Sequence, residues 1–263
     1  MTMTHTVSPL PFIDESDPTS TATAFIESIT TWIRTYFEQS KGKTAVLGMS
    51  GGADSLICGA LNVKALGTEN VVGVFMPNGT QADIDDAHAA AEAAGITKTR
   101  TMNIGEAYMS LLGQAGASRD SRAGINLAPR IRMASLYLIA QEFPEGRVCC
   151  TGNLSEATVG YCTLYGDLAG DYAPISRLVK EDVCTVGDAL GLPKHLVHKT
   201  PSDGLSGKSD EEKLGIRYDD IKAYIRHSRQ LDWNTVKRIS ELTSANRFKS
   251  EIIRIPAWDG VKL

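Results

Sequence analysis

The run Ser50-Gly-Gly-Ala-Asp-Ser55 combines two glycines, an acid and two hydroxyl side chains directly after the short apolar segment 44–49. That segment predicts a buried strand of a parallel sheet. Gly51 and Gly52 allow the backbone to turn sharply and to approach a ligand closely. The apolar residues after Ser55 predict a helix, whose first amide groups and dipole favour a bound anion. The run therefore predicts a cradle for phosphate groups.

The same run also suits an ordinary turn between a strand and a helix, in which Asp54 caps the helix and no ligand binds. It is not a Walker loop, because no Gly-Lys-Ser or Gly-Lys-Thr ends it, and it does not contain G-x-G-x-x-G. The residues of the turn taken alone leave the phosphate cradle and the structural turn open.

A second group of polar residues follows the segment 147–151, which predicts another strand. The group runs from Thr151 to Glu156 and continues to Asp171. Because ligands of open α/β sheets bind at the carboxyl ends of the strands, we expect this group to lie beside the cradle. Lys180 follows, in front of a segment with helical periodicity.

Short apolar segments alternate with helical periodicity along most of the chain. This alternation predicts an α/β fold with a doubly wound, mostly parallel sheet and helices on both faces. Strands are predicted at 44–49, 71–76, 99–104 and 147–151. Besides the helices after Ser55 and Lys180, helices are predicted at 25–37, 81–94, 106–114, from a cap at Asn126 to 143, from a capping box at Ser209 to 225, and at 234–243.

The length, charge and hydrophobicity of the chain argue against several classes of protein. The 263 residues are 42% hydrophobic, which suffices for one large core, and we expect an irregular N-terminal arm at 1–20 and a single domain at 21–263. A net charge of −4 does not favour a general nucleic-acid binder, which is usually basic. No apolar run approaches the roughly 20 residues of a membrane span, and the N-terminus lacks a signal-peptide core. We therefore expect a cytoplasmic protein without nucleic-acid or membrane partners.

The order and approximate spacing of the polar motifs resemble the NAD synthetase family. Ser-Gly-Gly-x-Asp-Ser alone is similar to the wider group of N-type ATP pyrophosphatases, which have an adenine nucleotide alpha hydrolase-like fold. The later motifs narrow the resemblance, which covers nearly the whole chain after residue 20. The motifs are Ser50-Gly-Gly-Ala-Asp-Ser55, Thr151-Gly-Asn-Leu-Ser-Glu156, Tyr165-Gly-Asp167, Asp171, Lys180, Pro201-Ser202 and Ser209-Asp-Glu-Glu-Lys-Leu-Gly215.

The resemblance implies a two-step ligase reaction. ATP adenylates the nicotinate carboxylate of deamido-NAD with loss of pyrophosphate, and ammonia then displaces AMP to give NAD. It implies Asp54, Glu156 and Lys180 as catalytic residues, with Mg²⁺ held by the two carboxylates, which suit this ion. Positions that match ATP-binding residues are Gly48, Met49, Ser50, Gly51, Gly52, Ala53, Asp54, Ser55, Thr151, Lys180 and Ser202. Positions that match deamido-NAD-binding residues are Arg130, Asp171, Phe248 and Lys249.

The chain departs from the family pattern at the second substrate. Leu164 stands where many ammonia-using members have Lys, and Phe248 stands where His is common. These departures leave open another N-type ATP pyrophosphatase that adenylates a different carboxylate or carbonyl. A non-catalytic ATP-binding sensor is a further alternative, against which the retention of Asp54, Glu156 and Lys180 argues.

Two more expectations concern assembly and motion. The resemblance and the aromatic residues Trp32, Tyr36 and Phe37 of the first helix predict a homodimer. The segment 203–208 contains two glycines and follows Ser202, so we expect it to close over the site as a lid. The large amidohydrolase domain of glutamine-dependent members has no counterpart in the sequence, which predicts free ammonia as the nitrogen donor.

Overall fold

A computed structural model of the chain describes residues 13–81, 84–200 and 209–250. The strands within these residues are β1 (Thr44–Gly48), β2 (Val71–Phe75), β3 (Lys98–Thr101) and β4 (Gly146–Val148). They pair in parallel in the order β3-β2-β1-β4, with Ala45 opposite Val71 and Thr44 opposite Gly146. The inner strand β1 leads into the predicted phosphate cradle.

Helices connect the strands and continue after them. The α-helices of the described residues are α1 (Pro18–Gln39), α2 (Ala53–Leu66), α3 (Ile84–Ala93), α4 (Gly105–Ala115), α5 (Arg122–Ala140), α6 (Leu154–Val159), α7 (Lys180–Ala189), α8 (Lys194–Val197), α9 (Asp210–Leu214), α10 (Tyr218–Arg226) and α11 (Trp233–Asn246). No helix in these parts of the chain is long and apolar enough to cross a membrane.

The inner strands β1 and β2 are buried on both faces of the sheet, as their apolar character predicts, whereas β3 is exposed. Ala45 and Leu47 pack with α1, α2, α3 and α7 on one face. Val46 and Val74 pack with α4 and α5 on the other. A smaller cluster joins α6 to α9, α10 and α11 beyond the sheet. Helices on both faces of a parallel sheet confirm the predicted fold class.

Several predicted boundaries differ from the structure. Helix α1 begins at Pro18 after an Asp17 cap, within the predicted irregular arm. Ser121 is the N-cap of α5 and accepts from the Gly124 amide at 3.1 Å, so the prediction of Asn126 as the cap is wrong. The helix predicted from 209 to 225 is two helices, because Gly215 takes a left-handed φ of 67° and ends α9.

Candidate active site

The turn between β1 and α2 is held by its own hydroxyl groups. Gly51 has a φ of +83°, which favours glycine, and Gly52 is the N-cap of α2. The Ser55 hydroxyl donates to the Gly52 carbonyl at 2.9 Å and accepts from the Ser50 amide at 3.3 Å. Within the described chain no side chain caps α2, so Asp54 is not the cap. The first amides of α2 therefore remain available to an anion.

Gly51 also lies against the start of α3. A Cβ atom at this position would be 2.9 Å from the amide nitrogen of Ala87, closer than real Cβ atoms approach. The left-handed backbone and the close packing thus each require glycine here. The turn is consequently fixed against a second helix.

Asp54, in the first turn of α2, joins residues from the other polar motifs. The Lys180 ammonium forms an ion pair with one Asp54 oxygen, and Asn153 Nδ2 donates to the other at 3.3 Å. The side chains of Lys180 and Asp54 are 10% and 17% exposed. Burial lowers the pKa of Lys180, but the Asp54 and Glu156 carboxylates outweigh it and raise that pKa overall. Lys180 is therefore a charged partner of Asp54.

Glu156 lies beside this pair at the start of α6. Its amide donates to Asn153 Oδ1 at 3.0 Å, and the Asn153 amide donates to Glu156 Oε2 at 3.3 Å, which forms a capping box. Burial raises the pKa of Glu156 to about 8, and the Asp54 charge adds to this effect while Lys180 opposes it. Asn153, which is 1% exposed, thus connects the two carboxylates.

Two hydrogen bonds hold α6 against the start of α7. The buried Ser155 hydroxyl accepts from the Lys180 amide at 3.1 Å. The Leu154 amide donates to the Leu178 carbonyl at 2.8 Å. These bonds place the first residue of α7 next to the first turn of α6, which explains why Lys180 reaches the acidic pair.

The carboxylates of Asp54 and Glu156 suit a magnesium ion whose other ligands are phosphate oxygens and water. Within the described residues there is no group of three or more His, Cys, Asp or Glu side chains that forms a complete metal site. Mg²⁺, however, is commonly bound by one or two carboxylates plus phosphate oxygens and water. Burial that makes Glu156 hard to ionise also makes a divalent cation beside it favourable. The donor set therefore fits Mg²⁺ together with a nucleotide.

Three residues predicted to bind deamido-NAD line one cavity of about 410 Å³, namely Arg130, Phe248 and Lys249. Arg130 Nε donates to the Leu164 carbonyl at 3.1 Å. Lys249 Nζ donates to two carbonyls of the segment 160–162 at 2.7 and 2.8 Å. The C-terminal part of the chain is thereby attached to the segment that follows α6.

Arg122, from the first turn of α5, also lines this basic cavity. It adds a third cation to Arg130 and Lys249, a combination that suits a phosphate group. Arg122 was not among the predicted site residues, because it precedes the predicted start of the helix at Asn126 and a single arginine between two predicted helices carries no distinctive signal. Its role depends on the position that α5 gives it.

Asp171 does not line the basic cavity. Its Oδ1 accepts from the Tyr137 hydroxyl at 3.1 Å, and its Oδ2 accepts from the Val148 amide at 2.7 Å. It lines a separate cavity of about 180 Å³ together with Asn153. The residues predicted for deamido-NAD are therefore divided between two cavities.

The structure thus forms two groups from the predicted site residues that it describes. The phosphate cradle lies with the three predicted catalytic residues, and the basic cavity is separate. Thr151 precedes α6 and is half-buried. Ser202 and the predicted lid at 203–208 lie outside the described residues. Asn153 was not among the predicted site residues, although its N-x-x-E spacing to Glu156 indicates a capping box.

The family model and the curated relatives that match this chain are NAD synthases or NAD synthetases. The family model for NAD synthase matches residues 25–253. The NH(3)-dependent NAD(+) synthetase of Thermococcus kodakarensis is 39% identical over 196 residues, 74% of this chain and 76% of that protein. The NH(3)-dependent NAD(+) synthetase of Archaeoglobus fulgidus is 35% identical over 234 residues, 86% of this chain and 94% of that protein.

Two solved structures illustrate the shared fold. The NMN synthetase from Francisella tularensis gives a TM-score of 0.81 at 28% identity, over 90% of this chain and 99% of that one. The NH3-dependent NAD synthetase from Campylobacter jejuni, in complex with a nitrate ion, gives 0.74 at 26% identity, over 89% and 98%.

Proposed function

The chain belongs to the NAD synthase family, and we propose that it is a ligase that makes NAD from deamido-NAD, ATP and ammonia. A nicotinate carboxylate oxygen attacks the α-phosphorus of ATP, and pyrophosphate leaves. Ammonia then attacks the activated carbonyl carbon and loses a proton, and AMP leaves with the carboxylate oxygen. The observation that carries this proposal is the joining of Asp54, Asn153, Glu156 and Lys180 beside the phosphate cradle.

In this proposal the turn from Gly48 to Ser55 binds the triphosphate of ATP. The uncapped start of α2 supports this role, because its amides and the positive end of its dipole attract anions. Lys180 donates to a phosphate oxygen, and Thr151 and Ser202 complete the ATP contacts by similarity to the family. The residues position the reactants and neutralise charge, and none of them forms a covalent intermediate.

Asp54 and Glu156 hold Mg²⁺ in the same proposal. When bound, the ion offsets the charge that develops on the departing pyrophosphate. Asn153 orients both carboxylates, since its side-chain amide donates to Asp54 and its backbone amide donates to Glu156 Oε2. Lys180, the ion-pair partner of Asp54, supplies a second positive charge for the phosphates.

The basic cavity binds the acceptor nucleotide. Arg122, Arg130 and Lys249 supply positive charge for its phosphates, and Phe248, which is 49% exposed, offers an aromatic face. Asp171 contacts the same ligand from the neighbouring cavity that it shares with Asn153. The bound molecule must therefore extend from the basic cavity towards the acidic pair.

Nicotinate mononucleotide is a second candidate acceptor. The structural similarity to an NMN synthetase exceeds that to the NAD synthetase described above. Leu164, an apolar residue at the position where many family members have Lys, lines the basic cavity and removes one cation from it. Both acceptors carry the same carboxylate, so the chemistry at Asp54 and Glu156 is unchanged.

We also propose a homodimer, although two of the three aromatic residues of α1 that predict it pack within the chain. Phe37 is 4% exposed, and Tyr36 packs against Tyr172 with ring centroids 5.1 Å apart. Trp32 is 37% exposed and remains at the surface beside Tyr172. Tyr172 forms a parallel bridge with Cys149, the residue after β4. Trp32 therefore lies near the edge of the sheet that β4 forms.

The same edge exposes apolar groups of α5. Tyr137 binds Asp171, the neighbour of Tyr172, and is 36% exposed, while Leu138 is 57% exposed. Trp32, Tyr137 and Leu138, which we name the edge surface, suit a second copy of the chain because aromatic and aliphatic groups dominate stable dimer interfaces.

One catalytic domain at 21–263 and a cytoplasmic location complete the proposal. The match of the family model to residues 25–253 supports the single domain. All five cysteines are free thiols, which is typical of a reducing compartment and supports the location.

A direct assay tests the function and separates the two acceptors. The purified chain is incubated with ATP, Mg²⁺ and ammonium, and with deamido-NAD or nicotinate mononucleotide, and pyrophosphate and the amidated product are measured. We expect product from deamido-NAD, and the ratio of the two kcat/KM values identifies the preferred acceptor. No amidation of either compound would contradict the proposed function.

A further inference from the structure

Tyr218 carries a buried hydroxyl group that has no partner within the described residues. The residue is 5% exposed, and its Oη forms no hydrogen bond there. Buried polar groups in native structures are nearly always hydrogen-bonded, because an unpaired one loses its interaction with water without compensation. The hydroxyl therefore requires an explanation that the packing of the chain does not provide.

The position of Tyr218 connects this hydroxyl with the candidate active site. Tyr218 is the first residue of α10, which packs against both α6 and α7. These helices carry Glu156 and Lys180. Burial raises the pKa of Tyr218, and the nearby carboxylates of Glu156, Asp210 and Asp54 raise it further. The hydroxyl is therefore protonated, and it can act as a donor towards the acidic side of the site.

Other contacts keep the neighbouring groups in place without engaging this hydroxyl. Asp210 Oδ1 accepts from the Tyr161 hydroxyl at 3.1 Å. Glu156 Oε2 accepts from the backbone of its own capping box. The Tyr218 amide donates to Glu211 Oε1 at 2.7 Å, which fixes the start of α10. The ring is thus held firmly while its donor remains unused.

We propose that Tyr218 is a further ligand-binding residue of this site and that its hydroxyl donates a hydrogen bond to an oxygen atom held between Asp54 and Glu156. The oxygen belongs to a phosphate group of ATP or to a water molecule on the metal ion. The inference rests on the proposed ATP-dependent function. It gives α10 a direct part in binding the nucleotide complex.

Tyr218→Phe tests this inference, because it removes the hydroxyl and keeps the ring. We measure the Tm of the protein alone and the Kd for ATP with and without Mg²⁺ by calorimetry. The Tm should stay unchanged or rise, since an unpaired buried hydroxyl is lost. The Kd for ATP with Mg²⁺ should rise about tenfold or more, as for a lost hydrogen bond to a charged group. A similar rise without Mg²⁺ identifies a phosphate oxygen, and a rise only with Mg²⁺ identifies metal-bound water.

Tyr224→Phe is the matched control, because Tyr224 is half-buried on the same helix and faces the same small cluster. Its Kd for ATP should equal that of the wild type. If Tyr218→Phe binds ATP with Mg²⁺ as tightly as the wild type does, the inference is overturned and the proposed function stands. If the wild type binds no ATP, the proposed function and this inference both fall.

Discussion

The carboxylates of Asp54 and Glu156 are the groups whose replacement tests the reaction most directly. Glu156→Gln and Asp54→Asn keep the size of each side chain but remove a charge that we assign to Mg²⁺ binding. Metal ions contribute several kcal/mol to such transition states, so pyrophosphate formation should slow by about 100-fold or more. The measurement is a steady-state assay with Mg²⁺ and ATP, alongside circular dichroism to verify the fold.

Asp188→Asn is a suitable control for these two variants. Asp188 lies on α7 with Lys180 but near the other end of that helix, where it pairs with His198 at 3.0 Å on the surface. Its loss should leave the rate within about twofold of the wild type, because exposed ion pairs contribute little. Turnover near the wild-type rate in Glu156→Gln would remove the proposed metal role.

The raised pKa of Glu156 predicts how stability depends on pH. Folding raises this pKa from 4.5 to about 8, so between these values the folded chain binds more protons than the unfolded one. The contribution of Glu156 to stability is therefore fully present below pH 4.5 and is lost as the pH rises towards 8, by at most about 1.4 kcal/mol per pH unit. Urea unfolding without nucleotide or metal should show a steeper fall from pH 5.5 to 7.5 for the wild type than for Glu156→Gln. Equal slopes would contradict the burial of an uncompensated carboxyl.

At the scale of elements, the phosphate cradle depends on the contact between its turn and α3. Gly51→Ala forces a Cβ to within 2.9 Å of the Ala87 amide nitrogen and strains a φ of +83°. Gly191→Ala is the matched control, because it has a φ of +73° but open space around the added carbon. The control should lose about 1–2 kcal/mol of unfolding free energy from backbone strain.

Gly51→Ala should lose more than the control, because α3 or the turn must shift to accommodate the methyl group. It should also weaken ATP binding, whereas Gly191→Ala should not. Chemical denaturation and calorimetry measure the two effects. Equal losses of stability in the two variants would show that the packing of Gly51 on α3 is unimportant.

Strands β1 and β2 were predictable because each is a short apolar run ended by a polar turn. Helix α6 was not predicted, because its six residues are too few to show a periodic pattern. The polar residues 151–153 in front of it also suggest a loop. The capping box at Ser209 was predicted and is present, but the sequence did not reveal that Gly215 divides the following segment. Local motifs of a few residues are thus readable, whereas the breaks between short helices depend on packing.

In the candidate site, too, local motifs predicted the residues, whereas their contacts depend on tertiary packing. Asp54 and Lys180 could be selected from motifs, and their ion pair follows from the position of α7 on α2. Asp171 could be selected too, but its bonds to Tyr137 and Val148 depend on long-range packing. The sequence therefore predicts which residues matter better than it predicts which of them share a cavity.

At the scale of the whole molecule, the edge surface predicts the assembly. The chain of 28.3 kDa should sediment as a species of about twice that mass at micromolar concentration. Leu138→Glu places a charge at an exposed apolar position of that surface and should yield a monomer with an unchanged circular dichroism spectrum. A fully active wild-type monomer would refute the homodimer, and a Leu138→Glu dimer would place the interface elsewhere.

In the proposed function, the ion pair between Lys180 and Asp54 makes ATP and Mg²⁺ mutually dependent ligands. A phosphate oxygen that takes the Lys180 ammonium releases Asp54 for a cation, and a cation on Asp54 releases Lys180 for phosphate. By linkage, each ligand raises the affinity for the other by the same factor. Binding at the proposed site is therefore cooperative between the two ligands, and this heterotropic cooperativity arises from a single lysine that competes with the metal for one carboxylate.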